Sequence, residues 1–212
     1  MTQQEQTTDR QRSIQALWDW FVAHKSLMAD LDTMDRAEQR NVMREFENLM
    51  ACYSQGLTFE VREPEPTDNY PLTDYRQLII SAEGNEDYFP EVIDLTTHAP
   101  VMEGWDVVPF RPAEGVKVNM IYGKWDLYSK NMYFTLLVNE EVTTDQIGIM
   151  VGVKDYDGTE DEDLYFAVYG LLEKILGEYD CATRIAYIDV CPEPKDPQKE
   201  NFKPLTTLPQ YI

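Results

Sequence analysis

A chain of 212 residues, 43% hydrophobic and 12% aromatic, is long enough for one sizeable core and equally for two small, intimately packed halves. Its 39 acids against 18 bases leave a formal charge of −21, which argues against binding a nucleic-acid backbone, because counterion release needs a cationic surface. No run approaches the roughly 18 to 20 apolar residues of a membrane helix, and MTQQEQTTDRQR at the start has no apolar segment like that of a signal peptide, so a cytoplasmic location is expected.

After this polar start, Ile14, Leu17, Trp18, Phe21 and Met28 fall at helical spacing. Met43, Phe46, Leu49, Met50 and Tyr53 repeat the pattern after a break at Leu31-Asp32-Thr33. The spacing predicts a helical hairpin over 1–55, with Asp32 or Thr33 capping its second helix and Gly56 closing that helix in the left-handed conformation. Leu57 to Arg62 then alternates, as a strand with one wet face does. EPEPTDNYPLTDY, residues 63–75, reads as an exposed acidic loop.

The segment from Gln77 to Pro112 reads as strand, turn, helix and strand. An apolar run ends at Ala82, Gly84-Asn85 breaks it, and Pro90 suits the first turn of a helix that Pro100 and Gly104 close. The strand at 105–110 carries Pro109, which limits pairing as at a sheet edge. Further strands are expected at Lys117–Tyr122, there as a strand or a hairpin, at Met132–Val138 and at Gln146–Val153. DGTEDED leads into a helix with the stripe Leu164, Val168, Leu171, Leu172 and Ile175, ended by Gly177, and Arg184–Cys191 is the last strand. The tail from Pro192 to Ile212 has five prolines and is expected to wrap the surface, anchored by Phe202, Leu205 and Leu208.

Set side by side, 57–110 and 132–191 both read strand, strand, helix, strand. The fold class predicted is therefore α+β: a mainly antiparallel sheet with helices packed on it, two pseudo-repeated ββαβ units in a ferredoxin-like sandwich, after an N-terminal helical hairpin. The whole is expected to form a single globular domain, with 1–55 as the hairpin, 56–191 as the α+β core and 192–212 as the tail.

Chemistry is harder to find. The chain has three cysteines. Cys181 and Cys191 lie at opposite ends of one predicted strand, about 30 Å apart at the usual rise, so those two cannot bridge each other. Cys52 could pair with either, but three thiols without close spacing read better as buried hydrophobes in a reducing compartment. His24 and His98 lack partners at metal-ligand spacing, and His98 suits a helix C-terminus. The acids of KDYDGTEDEDL superficially suggest a calcium loop, but Gly158 comes too early for one, and acids at a helix start are favoured by the dipole alone. Neither a nucleophile motif nor a phosphate-binding loop is present. No catalytic residue, metal or cofactor is expected.

Two places remain. Glu83, Glu86 and Asp87 sit in the turn after a strand. In QIGIMVGV, Ile147, Ile149, Val151 and Val153 face the core, which leaves Gly148, Met150 and Gly152 nearly bare on the other side. Neighbouring strands add Tyr133, Thr135, Tyr187 and Asp189 to that surface. Either the N-terminal helices pack there, or it is a groove or a homodimer interface.

The run LIISAEGNEDYFPEVIDLTTHAP with GWDVVPFRP, together with LWDWFVAHKSLM, resembles the signature of an uncharacterised bacterial family of Bacteroidetes type. The resemblance covers the first half best, to about Pro112. It implies a bacterial cytoplasmic protein and carries over no activity and no catalytic residue. The function expected is that of a non-enzymatic acidic interaction or regulatory protein with a protein partner, a basic one by charge complementarity. The alternative is a hydrolase or small-molecule-binding protein using the carboxylates near Glu83–Asp87 or the Gly148–Gly152 face.

Overall fold

The computed structural model describes residues 3–63, 75–137 and 146–212, with side chains from residue 8 onward. Most of the acidic connection expected at 63–75, and Val138 at the end of its strand, fall outside them. The architecture is α+β, opened by a helical hairpin. The chain divides into two compact units, Met1–Arg111 and Pro112–Ile212.

The first unit opens with α1 (Gln3–Ala29) and α2 (Arg36–Tyr53). Asp35 caps α2, its carboxylate accepting from the amides of Ala37 and Glu38 at 2.8 and 2.9 Å. Asp32 and Thr33, the expected caps, lie instead in a short 3-10 turn, because Leu31 is buried there and fixes the chain one turn early. Nor does Gly56 close the helix: Ser54 does, in an extended conformation. Gly56 is needed for close approach, since a Cβ there would stand 2.3 Å from Cδ2 of Tyr88.

The hairpin is part of this unit's core. Phe46 meets Phe59 at 4.8 Å between ring centroids and Phe21 meets Trp105 at 4.9 Å, both edge-on. Phe59 and Trp105 belong to a mixed sheet of β1 (Thr58–Arg62), β2 (Arg76–Ser81) and β3 (Trp105–Pro109), in that order. The β1–β2 pair is antiparallel. The β2–β3 pair is parallel, because α3 (Phe89–Thr97) crosses between them. Pro90 lies in the first turn of α3, and β3, with Pro109 at its end, is an edge strand as its proline predicts.

In the second unit β4 (Asn119–Tyr122) and β5 (Trp125–Tyr128) form a hairpin, Gly123 supplying the positive φ of 55° at the first loop position. A four-stranded sheet follows in the order β8-β7-β6-β9, with β6 (Tyr133–Leu137), β7 (Ile147–Val153), β8 (Ile185–Pro192) and the two-residue β9 (Lys203–Pro204). Between β7 and β8 run α4 (Glu162–Leu176) and α5 (Glu178–Arg184).

The stripe of α4 packs on Phe134, Ile149 and Val151, and the tail closes the core with Leu205 and Leu208, both fully buried. The helix α5 corrects the reading of Cys181, which sits in it rather than at a strand end. Burial, with the charge of Glu173 adding to it, pushes the Cys181 thiol up to about 12. Cys191 is also raised by burial, but Cys52, off the Phe46–Met50 stripe of α2, is exposed and corrects the expectation that all three are buried; all three are free.

Each unit thus contains strand, strand, helix and strand, paired first antiparallel and then parallel. The strands occupy separate sheets rather than the one sandwich expected from the sequence. Antiparallel pairs still predominate among the described strands, since only the helical crossovers force parallel pairing.

Candidate functional site

The glycine-spaced strand β7 sends Ile149, Val151 and Val153 into the core. On its other side the register sets Tyr133 opposite Gly152, Thr135 opposite Met150, Gly148 opposite Tyr187 and Met150 opposite Asp189. All seven residues singled out in the sequence therefore share one sheet face. That face is half-covered and not bare. The ring of Tyr187 lies over Gly148, where a Cβ would stand 2.2 Å from Cζ, and Pro194 covers Gly152 with Cδ at 2.6 Å from the same construction. Both glycines admit groups of this chain, and an aromatic ring lying across a strand glycine is a stabilising cross-strand pair.

Asp189 accepts from the Val190 amide at 2.8 Å. The Tyr165 hydroxyl of α4 reaches it, and burial, then the Asp189 charge, raise that hydroxyl above its ordinary value. Three tyrosines, a threonine and one carboxylate are brought together here. They suit polar contacts to a partner, and Tyr165 is held protonated.

At the β2–α3 turn, Glu83 has φ 53° and its carboxylate accepts from Thr58 Oγ1 at 2.7 Å and from the Arg111 guanidinium. Burial alone would raise this carboxyl, but Arg111 and Thr58 outweigh it and hold Glu83 below its ordinary value. A carboxylate so paired stays ionised and is poorly placed to donate a proton. Glu86 and Asp87 form a 3-10 turn capped by Asn85, whose side chain accepts from the Asp87 amide at 3.1 Å.

The sequence gives no sign of a second polar cluster. Asp94 of α3 accepts from Arg10 Nε and from the Tyr53 hydroxyl, each at 2.8 Å, and Arg10 also donates to Tyr53 at 2.7 Å. His98 Nδ1 stands 3.3 Å from the other Asp94 oxygen. Burial and the neighbouring Asp94 push the Tyr53 hydroxyl well above its usual range. Burial would also raise Asp94, but Tyr53 and Arg10 bring it below the usual carboxylate value. His98 also lines an open groove of about 520 Å³ with Ile14, Trp18, Val22 and Pro100. Arg10 and Tyr53 come from distant parts of the chain, so only the Asp94–His98 pair has a local spacing. His24 stacks on Trp20 at 4.3 Å, with Nδ1 2.7 Å from the Trp20 carbonyl.

The acids before α4 serve local structure. Asp157 accepts from the Thr159 amide at 2.9 Å, and Asp161 caps α4 by accepting from the Leu164 amide at 3.1 Å. Among the described residues no group of three or more His, Cys, Asp or Glu is arranged to hold a metal ion, and no helix is long and apolar enough to cross a membrane.

Beside these acids lies an apolar feature that only one sequence signal announces: Phe166 falls outside the buried stripe of α4. Phe166 is 59% exposed, and the ring of Tyr122 of β4, itself 42% exposed, lies 5.8 Å from it. The fold and its sites define an acidic α+β protein of two compact units. No family model matches the chain, nor does any curated protein or solved structure.

Proposed function

We propose that the protein is a non-enzymatic, cytoplasmic interaction or regulatory protein whose acidic surface binds a basic protein partner. The observation that carries this reading is the distribution of charge. Met1–Arg111 has 21 acids against 9 bases and Pro112–Ile212 has 18 against 9. The acidity therefore belongs to both folded bodies and is not confined to a tail. A field of this kind steers and selects oppositely charged partners more than it adds raw affinity.

The carboxylates best placed for chemistry support the same reading. Glu83 and Asp94 are already tied to Arg111 and Arg10. The glycines that would admit a small ligand are occupied by Tyr187 and Pro194. The test is retention of a partner from native lysate on the immobilised chain at about 0.05 M salt, followed by its release at about 0.5 M, where exposed charges are largely screened. Failure to retain a partner at the lower salt removes the reading.

A further inference from the structure

In the second unit, the β4–β5 hairpin seats on α4 because Gly170 carries no side chain: Met120 Cε lies 2.6 Å from where a Cβ would be. This contact brings Tyr122 against Phe166 at 5.8 Å. Alternation along the hairpin turns Met120, Trp125 and Leu127 toward α4 and leaves Ile121 and Asp126, a cross-strand pair, on the outer side. The result is an exposed aromatic ridge of Tyr122 and Phe166, while Ile121 projects from the opposite face of the hairpin.

Acids rim it. Glu162 and Asp163 stand one turn before Phe166 on α4, and Asp163 Oδ2 lies 2.7 Å from the Cβ position of Gly123 in the hairpin turn. The chain itself shows which charge this rim accepts. Lys124 reaches Asp161 at 2.7 Å, with its ammonium 4.9 Å from the Trp125 ring centroid.

We infer that this ridge docks a basic polypeptide segment, one that carries an apolar anchor between lysines or arginines. The inference rests on the acidic interaction reading above and assigns it a surface. Exposed aromatics ringed by charge have the make-up of an interface centre and its rim. Charge complementarity selects the occupant. A second copy of the chain, also at −21, would set like charges around the same ridge and be repelled.

The experiment uses the full chain and fluorescence anisotropy with two labelled decapeptides, one of lysines around a central Leu-Trp and one with Ser-Ser in its place, at about 0.05 M salt. The Leu-Trp peptide is expected to bind at least about tenfold more tightly. Phe166→Ser is expected to abolish that preference, leaving the Ser-Ser affinity unchanged. Tyr122→Ser repeats the measurement on another element, Ile121→Ser on the opposite face of the hairpin is expected to change nothing, and melting curves check that the variants fold. Glu162→Gln with Asp163→Asn is expected to weaken both peptides and flatten their salt dependence. If both peptides bind equally and Phe166→Ser changes nothing, the ridge is not the site, and the acidic reading survives without it. If neither peptide binds, both readings fall. A dimer that Phe166→Ser dissociates also overturns the inference, in favour of a second copy as the occupant.

Discussion

Asp94 gathers Arg10 from α1, Tyr53 from α2 and His98 from the end of its own helix. With side chains 31% exposed at Asp94 and 44% at Arg10, solvent screens the pair, and Asp94→Asn is expected to cost only about 1 kcal/mol at neutral pH. The folded carboxyl lies below its ordinary value, so its stabilisation is complete above the unfolded pKa, near about 4, and is lost as pH falls through the lower folded value. Urea midpoints of the wild type and the variant should therefore converge below about pH 3; an equal gap at pH 7 and in acid would exclude the charge as the cause. The Arg10 and Tyr53 contacts are not legible in the sequence, because these partners lie 84 and 41 residues from Asp94. Capping shows a different difficulty. LDTMD offers three residues able to cap, and only the burial of Leu31 decides among them. Asp35→Ala should lower the melting temperature and Asp32→Ala should leave it nearly unchanged; the reverse order would restore the cap to Asp32.

At the scale of elements, period served well where it was unambiguous. The two-residue alternation of QIGIMVGV placed Gly148, Met150 and Gly152 on the correct face, and the register brought their predicted neighbours beside them. What covers that face was hidden, since Tyr187 lies across on β8 and Pro194 follows its end. The helix α5 is not legible because seven residues are too few to establish a period, nor is β5, whose four residues are too few to show an alternation. The Gly148–Tyr187 pair makes the coverage testable. Gly148→Ala puts a methyl into the ring and should destabilise by about 1 to 3 kcal/mol. In a Tyr187→Ala background the same change should be neutral or slightly stabilising, because the clash is gone and alanine orders the strand better than glycine. Additive effects in the double-mutant cycle would mean that the ring does not lie on the glycine. At the tail, Leu208 is fully buried in the core formed by α4 and the sheet, so Leu208→Ala should cost about 2 to 5 kcal/mol in urea unfolding. A cost below about 0.5 kcal/mol would show the tail to be a surface wrap.

For the molecule as a whole, charge is the property that the sequence announces most plainly, and its consequence for stability opposes that of the ion pairs. Arg10, Arg62, Arg76, Arg111, Lys124, Lys174 and Lys199 all sit within 4 Å of a carboxylate. Each such exposed pair is worth about 0 to 1 kcal/mol and is weakened by salt. With 39 acids to 18 bases, at least half of the carboxylates face no cation of their own, in either unit. Their mutual repulsion acts over the Debye length, about 30 Å at 0.01 M salt and about 4 to 5 Å at 0.5 M, and it penalises the compact state more than the expanded one. Screening therefore removes more repulsion than attraction. Raising sodium chloride from about 0.01 to 0.5 M should shift the urea midpoint upward, with urea chosen because guanidinium chloride is itself a screening salt. The shift should level off once the Debye length falls below the spacing of surface carboxylates. A midpoint that falls with salt would mean that the few ion pairs outweigh the acid excess, and the surface would then be too well neutralised internally to attract a basic partner.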